Sequence, residues 1–215
     1  MAIAPVRWVI FVAPQRLICD FYFMNADADY WNNRYQTGHT PWDLGQLSPP
    51  LKAIIDEVDY KNAAILIPGA GSGYEVDYLL EQGFQNITVI DLAPLAIERL
   101  HERVKNSPAL TTIAGDFFAH RGQYDLILEQ TFFCALDPVL RPAYAQHMYD
   151  LLKPDGLLSG VLFGIVFPFA GPPFGGLAGE YQTLFESVFS RVRLEPCELS
   201  VKPRLGSEWW VELMR

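Results

Sequence analysis

Three glycines, Gly69, Gly71 and Gly73, separate the apolar run Ala63-Ala-Ile-Leu-Ile67 from Tyr74-Glu-Val-Asp-Tyr-Leu-Leu80. The run is short enough for a strand covered on both faces, and Val76, Leu79 and Leu80 recur at helical spacing. Glycine in such a turn takes positive φ and lets a ligand approach the main chain where the first amides of a helix point outward. The same spacing also suits an ordinary tight turn. A second strand, Asn86-Ile-Thr-Val-Ile-Asp91, ends in an acid about 20 residues after Gly69, where an open parallel sheet offers a carboxylate to a ribose hydroxyl pair. Asp91 also reads as the N-cap of the next helix, with Pro94 in its first turn, and the two roles are compatible.

The glycine spacing separates two cofactor classes. A nicotinamide fingerprint is G-x-G-x-x-G, its last glycine allowing close helix packing around a pyrophosphate. Here the pattern is G-x-G-x-G, with Tyr74 where that last glycine belongs. This favours a nucleoside ligand without pyrophosphate, S-adenosyl-L-methionine. Trp31 and Tyr35 lie four apart on one face of a short helix that Gly38 ends, and Trp42 follows Pro41 in a loop. These rings either pack on the sheet or form a lid whose π faces meet a sulfonium. Asp116 and Phe117 close a third strand, Thr111-Thr-Ile-Ala-Gly-Asp116. They suit an adenine amino group and ring, or a turn acid beside a core ring. Cys134 has no flanking charge to lower its pKa and reads as buried filler rather than a nucleophile.

The elements that position these residues alternate strand and helix. Ser48 and Pro49 open a helix running to Val58, and Leu95 to Lys105 form another with Leu95, Ile97, Leu100 and Val104 on its apolar side. Tyr124 to Gln130 make a fourth strand and Arg141 to Leu152 a helix that Lys153-Pro-Asp-Gly156 stops; Leu157 to Ile165 make a fifth strand. After the loop Phe167-Pro-Phe-Ala-Gly-Pro-Pro-Phe-Gly-Gly176 come a helix, Glu180 to Phe189, and two successive strands, Arg191 to Ser200 and Glu208 to Arg215. The expected fold is α/β and Rossmann-like: a mostly parallel seven-stranded sheet with helices on both faces and a C-terminal antiparallel hairpin.

The chain has 215 residues, half of them hydrophobic, enough for one core and one domain. A net charge of -9 without a basic run argues against a nucleic-acid partner. Cys19, Cys134 and Cys197 are scattered, as are His39, His101, His120 and His147, so neither a disulfide framework nor a metal site is read. Reduced cysteines fit the cytoplasm. The piece Trp8-Val-Ile-Phe-Val-Ala13, broken by Pro5 and Pro14, is too short to span a membrane and makes a poor signal peptide. Residues 1–23 are therefore expected to be an extension outside a domain of residues 24–215.

The sequence resembles the thiopurine and thiol/halide methyltransferase family, of the class I S-adenosylmethionine-dependent enzymes. The likeness spans Asp29 to Arg215. It is carried by Tyr30-Trp31 to Gly45 with Thr40-Pro-Trp-Asp43, by Ile67-Pro-Gly-Ala-Gly-Ser-Gly73, Val89-Ile-Asp91 and Gly115-Asp-Phe-Phe118, and by Phe133-Cys-Ala-Leu136, Arg141-Pro142, Leu152-Lys-Pro-Asp-Gly156 and Gly171-Pro-Pro-Phe174. The resemblance implies that Trp31, Tyr35 and Trp42 close over the cofactor, that Gly69 touches its methionyl part, that Asp91 binds ribose, that Asp116 and Phe117 meet adenine, and that Gln130 lies near the methionyl end. Tyr35 stands where plant thiol/halide members have a tryptophan. Gln130 stands where the thiopurine branch has arginine and the plant branch tyrosine. The wording around Thr40 to Asp43 and Phe133 to Leu136 leans towards the thiol/halide branch. The implied activity is methyl transfer to a small thiol, hydrosulfide, thiopurine or halide by a monomeric, metal-independent enzyme. The alternatives are a cofactor-binding protein without turnover, such as a sensor or scaffold, and a methyltransferase for another small molecule.

Overall fold

The computed structural model describes residues 26–105 and 107–215; the extension expected at residues 1–23 lies outside them. Seven strands form one sheet: β1 (Ile65–Pro68), β2 (Ile87–Asp91), β3 (Leu110–Ala114), β4 (Tyr124–Gln130), β5 (Leu152–Phe163), β6 (Arg191–Pro196) and β7 (Glu208–Met214). Their order is β3-β2-β1-β4-β5-β7-β6; the first five are parallel, while β7 runs antiparallel to both β5 and β6. This is the expected parallel sheet with its closing hairpin. The order reverses at β1, so the loops after β1 and β4 diverge at the C-terminal edge and leave a crevice there.

Alternation along the central strands sends side chains to two cores. Ile65, Ile67, Val89, Leu126 and Leu128 join the core under α2 (Pro49–Asp56), α3 (Tyr74–Glu81) and α4 (Pro94–Val104). Leu66, Ile90 and Ile127 face the other way, onto α5 (Arg141–Leu151) and α6 (Ala178–Glu186). Both faces being covered, these strands read as continuous apolar runs. On α4 the fully buried positions are Ala96, Ile97 and Leu100. Leu95 and Val104, expected to be inside, sit half-buried at the rim.

The junction between α5 and β5 differs from the sequence reading. Lys153-Pro-Asp-Gly156 does not form a loop between α5 and β5; the helix passes directly into the strand. Leu152 pairs with Tyr124 and Leu157 with Leu126, so the intervening residues bulge out, with Asp155 at φ 61°. A Cβ on Gly156 would come within 2.9 Å of the Tyr124 carbonyl oxygen, which is why the bulge carries glycine there.

Ahead of the sheet stands α1 (Ala28–Thr37), capped by the Asp27 carboxylate, which accepts from the Tyr30 amide. Gly38, at φ 67°, ends it with paired bonds from Gly38 N to Tyr35 O and from His39 N to Arg34 O. Arg99 donates to the Tyr35 carbonyl (3.0 Å), and the Leu95 amide donates to the Asn32 side chain (3.1 Å). These two bonds fix α1 on α4 beside the glycine turn.

Candidate active site

The turn after β1 holds Gly69, Gly71 and Gly73 at φ 77°, 53° and 62°, values that strain any residue with a Cβ. The Gly69 amide donates to the Ile90 carbonyl (2.7 Å), anchoring the turn to β2. Space around the Gly71 α-carbon is open, whereas a Cβ on Gly69 would lie 3.0 Å from the Phe132 ring. Phe132 therefore lies over the turn.

Asp91, at the end of β2, is buried directly beneath. Its carboxylate accepts from the Ala93 amide (2.7 Å) and faces the Ala70 and Gly71 amides; burial raises its pKa against the pull of those donors. It is not the N-cap of α4, a position that Ala93 holds without a side-chain bond. It forms an Asx-type turn into that helix instead.

A cleft of about 450 Å³, counting its open mouth, lies between this turn and the loop after α1. Trp42, Asp43, Ser48, Gly69, Gly71 and Gln130 are among its lining residues. Trp31 and Tyr35 stand behind Trp42, their ring centroids 5.5 and 5.8 Å from its own in edge-on contacts. The three rings read from sequence thus form one cluster at the cleft wall. Tyr35 is buried, and that burial, followed by the Asp91 and Asp43 charges, pushes its hydroxyl far above the usual range.

Asp116 and Phe117 lie outside the cleft lining, at the end of β3. Asp116 caps a short turn by accepting from the Phe118 amide (2.9 Å). Phe117 is buried, edge-on to Phe132 at 4.9 Å, so it reaches the glycine turn through that ring.

Several groups at the site escaped the sequence reading. Asp43 ties the lid loop to the glycine turn: its carboxylate accepts from the Gly45 amide (2.7 Å) and from the Ser72 hydroxyl, and its pKa lies below the ordinary value because these bonds outweigh desolvation. Ser48 caps α2 as expected, yet its hydroxyl also donates to Gln130 Oε1, which leaves the Gln130 amide nitrogen for the cleft. Glu129, fully buried at the end of β4, accepts from the Phe132 and Phe133 amides (3.0 and 3.1 Å) and from the Tyr144 hydroxyl (2.6 Å). It holds the turn in which Thr131 takes φ 60°, a strained value for a β-branched residue.

Arg204, from the far end of the chain, donates to the Trp42 carbonyl (2.7 Å) and pairs with the buried Glu208 carboxylate (3.2 Å). It pins the lid loop to β7. Arg204→Met is expected to weaken cofactor binding on the order of tenfold by releasing that loop, one charge-assisted bond being worth about 1.5–3 kcal/mol. Calorimetric titration with S-adenosylhomocysteine checks this, and unchanged affinity would show that the loop holds its place without the arginine.

Neither Tyr181 nor Asp137 is a free general base. The Tyr181 hydroxyl donates to the Phe163 carbonyl (3.0 Å), and burial pushes its pKa up to about 12. Asp137 accepts from the Val139 amide (2.9 Å). Cys134 is buried, its thiol donates to the Thr131 carbonyl (3.3 Å), and burial drives its pKa upward, which makes it structural rather than nucleophilic. Among the described residues, no group of three or more His, Cys, Asp or Glu side chains is arranged to hold a metal ion.

Comparison with known proteins agrees with this geometry. Among solved structures, a Burkholderia thailandensis 1,6-didemethyltoxoflavin-N1-methyltransferase superposes with a TM-score of 0.68 at 20% identity, over 87% of this chain and 86% of that one. That likeness establishes the fold. Residues 26–213 match the family described as thiopurine S-methyltransferase. A probable thiol methyltransferase 2 of Arabidopsis thaliana is 33% identical over 83% of this chain and 81% of its own length. Thiocyanate methyltransferase 1 of Brassica oleracea is 30% identical over 92% and 89%, respectively. The chain belongs to the thiopurine S-methyltransferase family and is an S-adenosylmethionine-dependent methyltransferase.

Proposed function

We propose that the chain transfers a methyl group to a small soft nucleophile, a thiol or hydrosulfide before a halide or thiopurine. The observation that carries this reading is the cleft between the glycine turn and the Trp42 loop, whose lining has acids and aromatic surface but no lysine, arginine or histidine among the described residues. Such a lining fits a cationic ligand and disfavours a pyrophosphate. Open main chain at Gly71 and the buried Asp91 carboxylate beside it fit a nucleoside.

In this reading Asp91 accepts from the ribose hydroxyls, Gly69 and Gly71 offer main chain to the methionyl part, and Gln130 turns its amide nitrogen to the same end. Trp31, Tyr35 and Trp42 cover it. Asp116 and Phe117 serve the adenine, with Phe132 continuing the apolar surface towards the turn. Bound S-adenosylmethionine supplies a methyl already activated on sulfonium. The protein's part is to hold the acceptor in line and to exclude water, which proximity and orientation can accomplish without a base. A thiol with a pKa near about 8.5 has a usable thiolate fraction at neutral pH, so this reading asks no side chain to act as a base.

The negative charge of the chain supports a small-molecule acceptor over nucleic acid. Among the described residues no helix is long and apolar enough to cross a membrane. The same reading takes residues 24–215 as the catalytic domain, acting as a monomer in the cytoplasm. The test is incubation of the pure protein with methyl-labelled S-adenosylmethionine and a panel of alkyl thiols, sulfide, thiopurine, iodide and thiocyanate. Thiols and sulfide are expected to take the label fastest. Tight binding of the cofactor without transfer to any member would instead identify a protein that binds it without turnover.

A further inference from the structure

The C-terminal edge of the sheet changes character between β4 and β5. At the cleft it carries Asp43, Ser48 and Gln130, but after β5, from Phe163 to Gly179, no side chain is charged or polar. Three bonds hold the second half of this segment: the Gly176 amide donates to the Ile165 carbonyl (3.0 Å), the Phe174 amide to the Cys134 carbonyl (2.6 Å), and Arg141 to the Gly175 carbonyl (2.8 Å). The first of them closes residues 165–176 into an Ω-loop. All three leave Val166 to Ala170 untouched, and there Val166 and Phe169 stand exposed. An exposed loop this apolar, set beside a cleft, marks a place where an apolar group binds.

The rings of the segment form a continuous ladder. Phe163 lies edge-on to Phe167, and Phe167 stacks on Phe169, the centroids of each pair 5.2 Å apart. The inner end of the ladder is beside the lid: the Arg204 guanidinium sits over the Phe163 ring at 5.7 Å while it donates to the Trp42 carbonyl. Gln130 pairs with Val161, so Phe163 projects two residues beyond the level at which β4 reaches the cleft. A narrow gap lined by Phe163, Glu129 and Glu208 meets the cleft at Thr131, which lines both.

We infer that Phe163, Phe167 and Phe169 receive the carbon group of the acceptor, and so select neutral thiols with an apolar chain or ring over sulfide and over thiols that end in an anion. The inference rests on the reading of the cleft as a site of methyl transfer to a thiol. With the methionyl part at Gly69 and Gln130, the acceptor sulfur approaches from the β5 side, and whatever it carries extends along the ladder. An anionic tail gains nothing there. Aromatic carbon cannot replace its hydration, Arg204 is already paired with Glu208, and the Glu129 and Glu208 carboxylates lie behind Phe163.

The test is steady-state methyl transfer to sulfide, ethanethiol, butanethiol and hexanethiol, with 2-mercaptoethanesulfonate as the anionic member. Along the chain series kcat/KM is expected to rise about two- to fourfold per methylene, the worth of taking one CH2 out of water, and mostly through KM because the contact is equal before and during transfer. The sulfonate is expected at least about tenfold below butanethiol. Phe169→Ser, at an exposed position where folding is not at stake, should flatten the series, hexanethiol losing about five- to tenfold relative to sulfide. A readout without turnover is calorimetry with hexyl methyl sulfide, the methylated product, added to protein holding S-adenosylhomocysteine; Phe169→Ser should bind it weaker by a similar factor. A flat series in the wild type, or one that the sulfonate leads, would overturn the inference while leaving methyl transfer to thiols in place. An unchanged slope in Phe169→Ser would overturn it too, and a change from dimer to monomer in light scattering alongside would make the patch a contact between copies of the chain. If no member of the series took the methyl group, the proposed function would fall and the inference with it.

Discussion

Glu129→Ala is expected to cost about 3–5 kcal/mol of stability, more than any other single change to the site. The carboxylate is fully buried and satisfies three donors, two of them backbone amides in the turn after β4. Truncation strands all three, each at about 1–3 kcal/mol, and opens a cavity. The isosteric Glu129→Gln behaves differently. Its oxygen keeps both amides, and its nitrogen can donate to Tyr144 once that hydroxyl rotates.

The pH dependence separates the two effects. Burial raises Glu129 from 4.5 to about 7, so between those values the folded protein holds a proton that the unfolded chain has released. Stability therefore falls as pH rises through that window, by roughly 3 kcal/mol in full, and the loss is complete above it. Glu129→Gln has no proton to lose. It is expected to flatten that part of the profile and to equal or exceed the wild type at pH 8 in urea denaturation. A glutamine variant as damaged as the alanine one would show that the negative charge itself is needed. Cofactor affinity should fall with the alanine variant too, since this turn sets Phe132 over Gly69 and carries the strained Thr131.

Glu129 also marks what sequence could not reveal. As the sixth residue of Tyr124-Asp-Leu-Ile-Leu-Glu-Gln130 it looks like the polar end of a strand. Only the neighbouring strands show that this end is inside, although an acid in a strand otherwise covered on both faces was a signal available to read. The glycine turn, the β2 acid and the helix ends at Gly38 and Ser48 were legible because their causes are local: φ, capping and periodicity act within a few residues. The pairing of Trp31 with Tyr35 followed from helical spacing, whereas Trp42 joins them through a loop whose path is set elsewhere. The bonds that complete the site are long-range. Ser48 meets Gln130 across 82 residues and Arg204 meets Trp42 across 162, and no propensity records either. Asp116 and Phe117 were placed correctly at a strand end, but the width of the sheet sets them two strands from the cleft.

Asp91→Ala is expected to weaken S-adenosylhomocysteine by about a hundredfold or more, at or above the top of the roughly 1.5–3 kcal/mol that hydrogen bonds to a charged group are worth, because two losses combine. The first is the acceptor for the ribose hydroxyl pair. The second is local: the Ala93 amide loses its partner, and the Ala70 and Gly71 amides lose the charge that orders the turn. Asp91→Asn divides them. Its oxygen can keep the Ala93 amide and so much of the wild-type melting temperature, while its nitrogen meets a ribose hydroxyl that must reverse its own bond. A loss of about tenfold with little change in melting is the expected result, and a 2′-deoxy ligand should then bind variant and wild type more nearly alike than the ribose ligand does. If Asp91→Asn bound the ribose ligand at full strength, the carboxylate would be needed for the turn alone. Tight NADH binding by the wild type would contradict the cofactor choice that the G-x-G-x-G spacing supports, because the lining of this cleft offers no cation to a pyrophosphate.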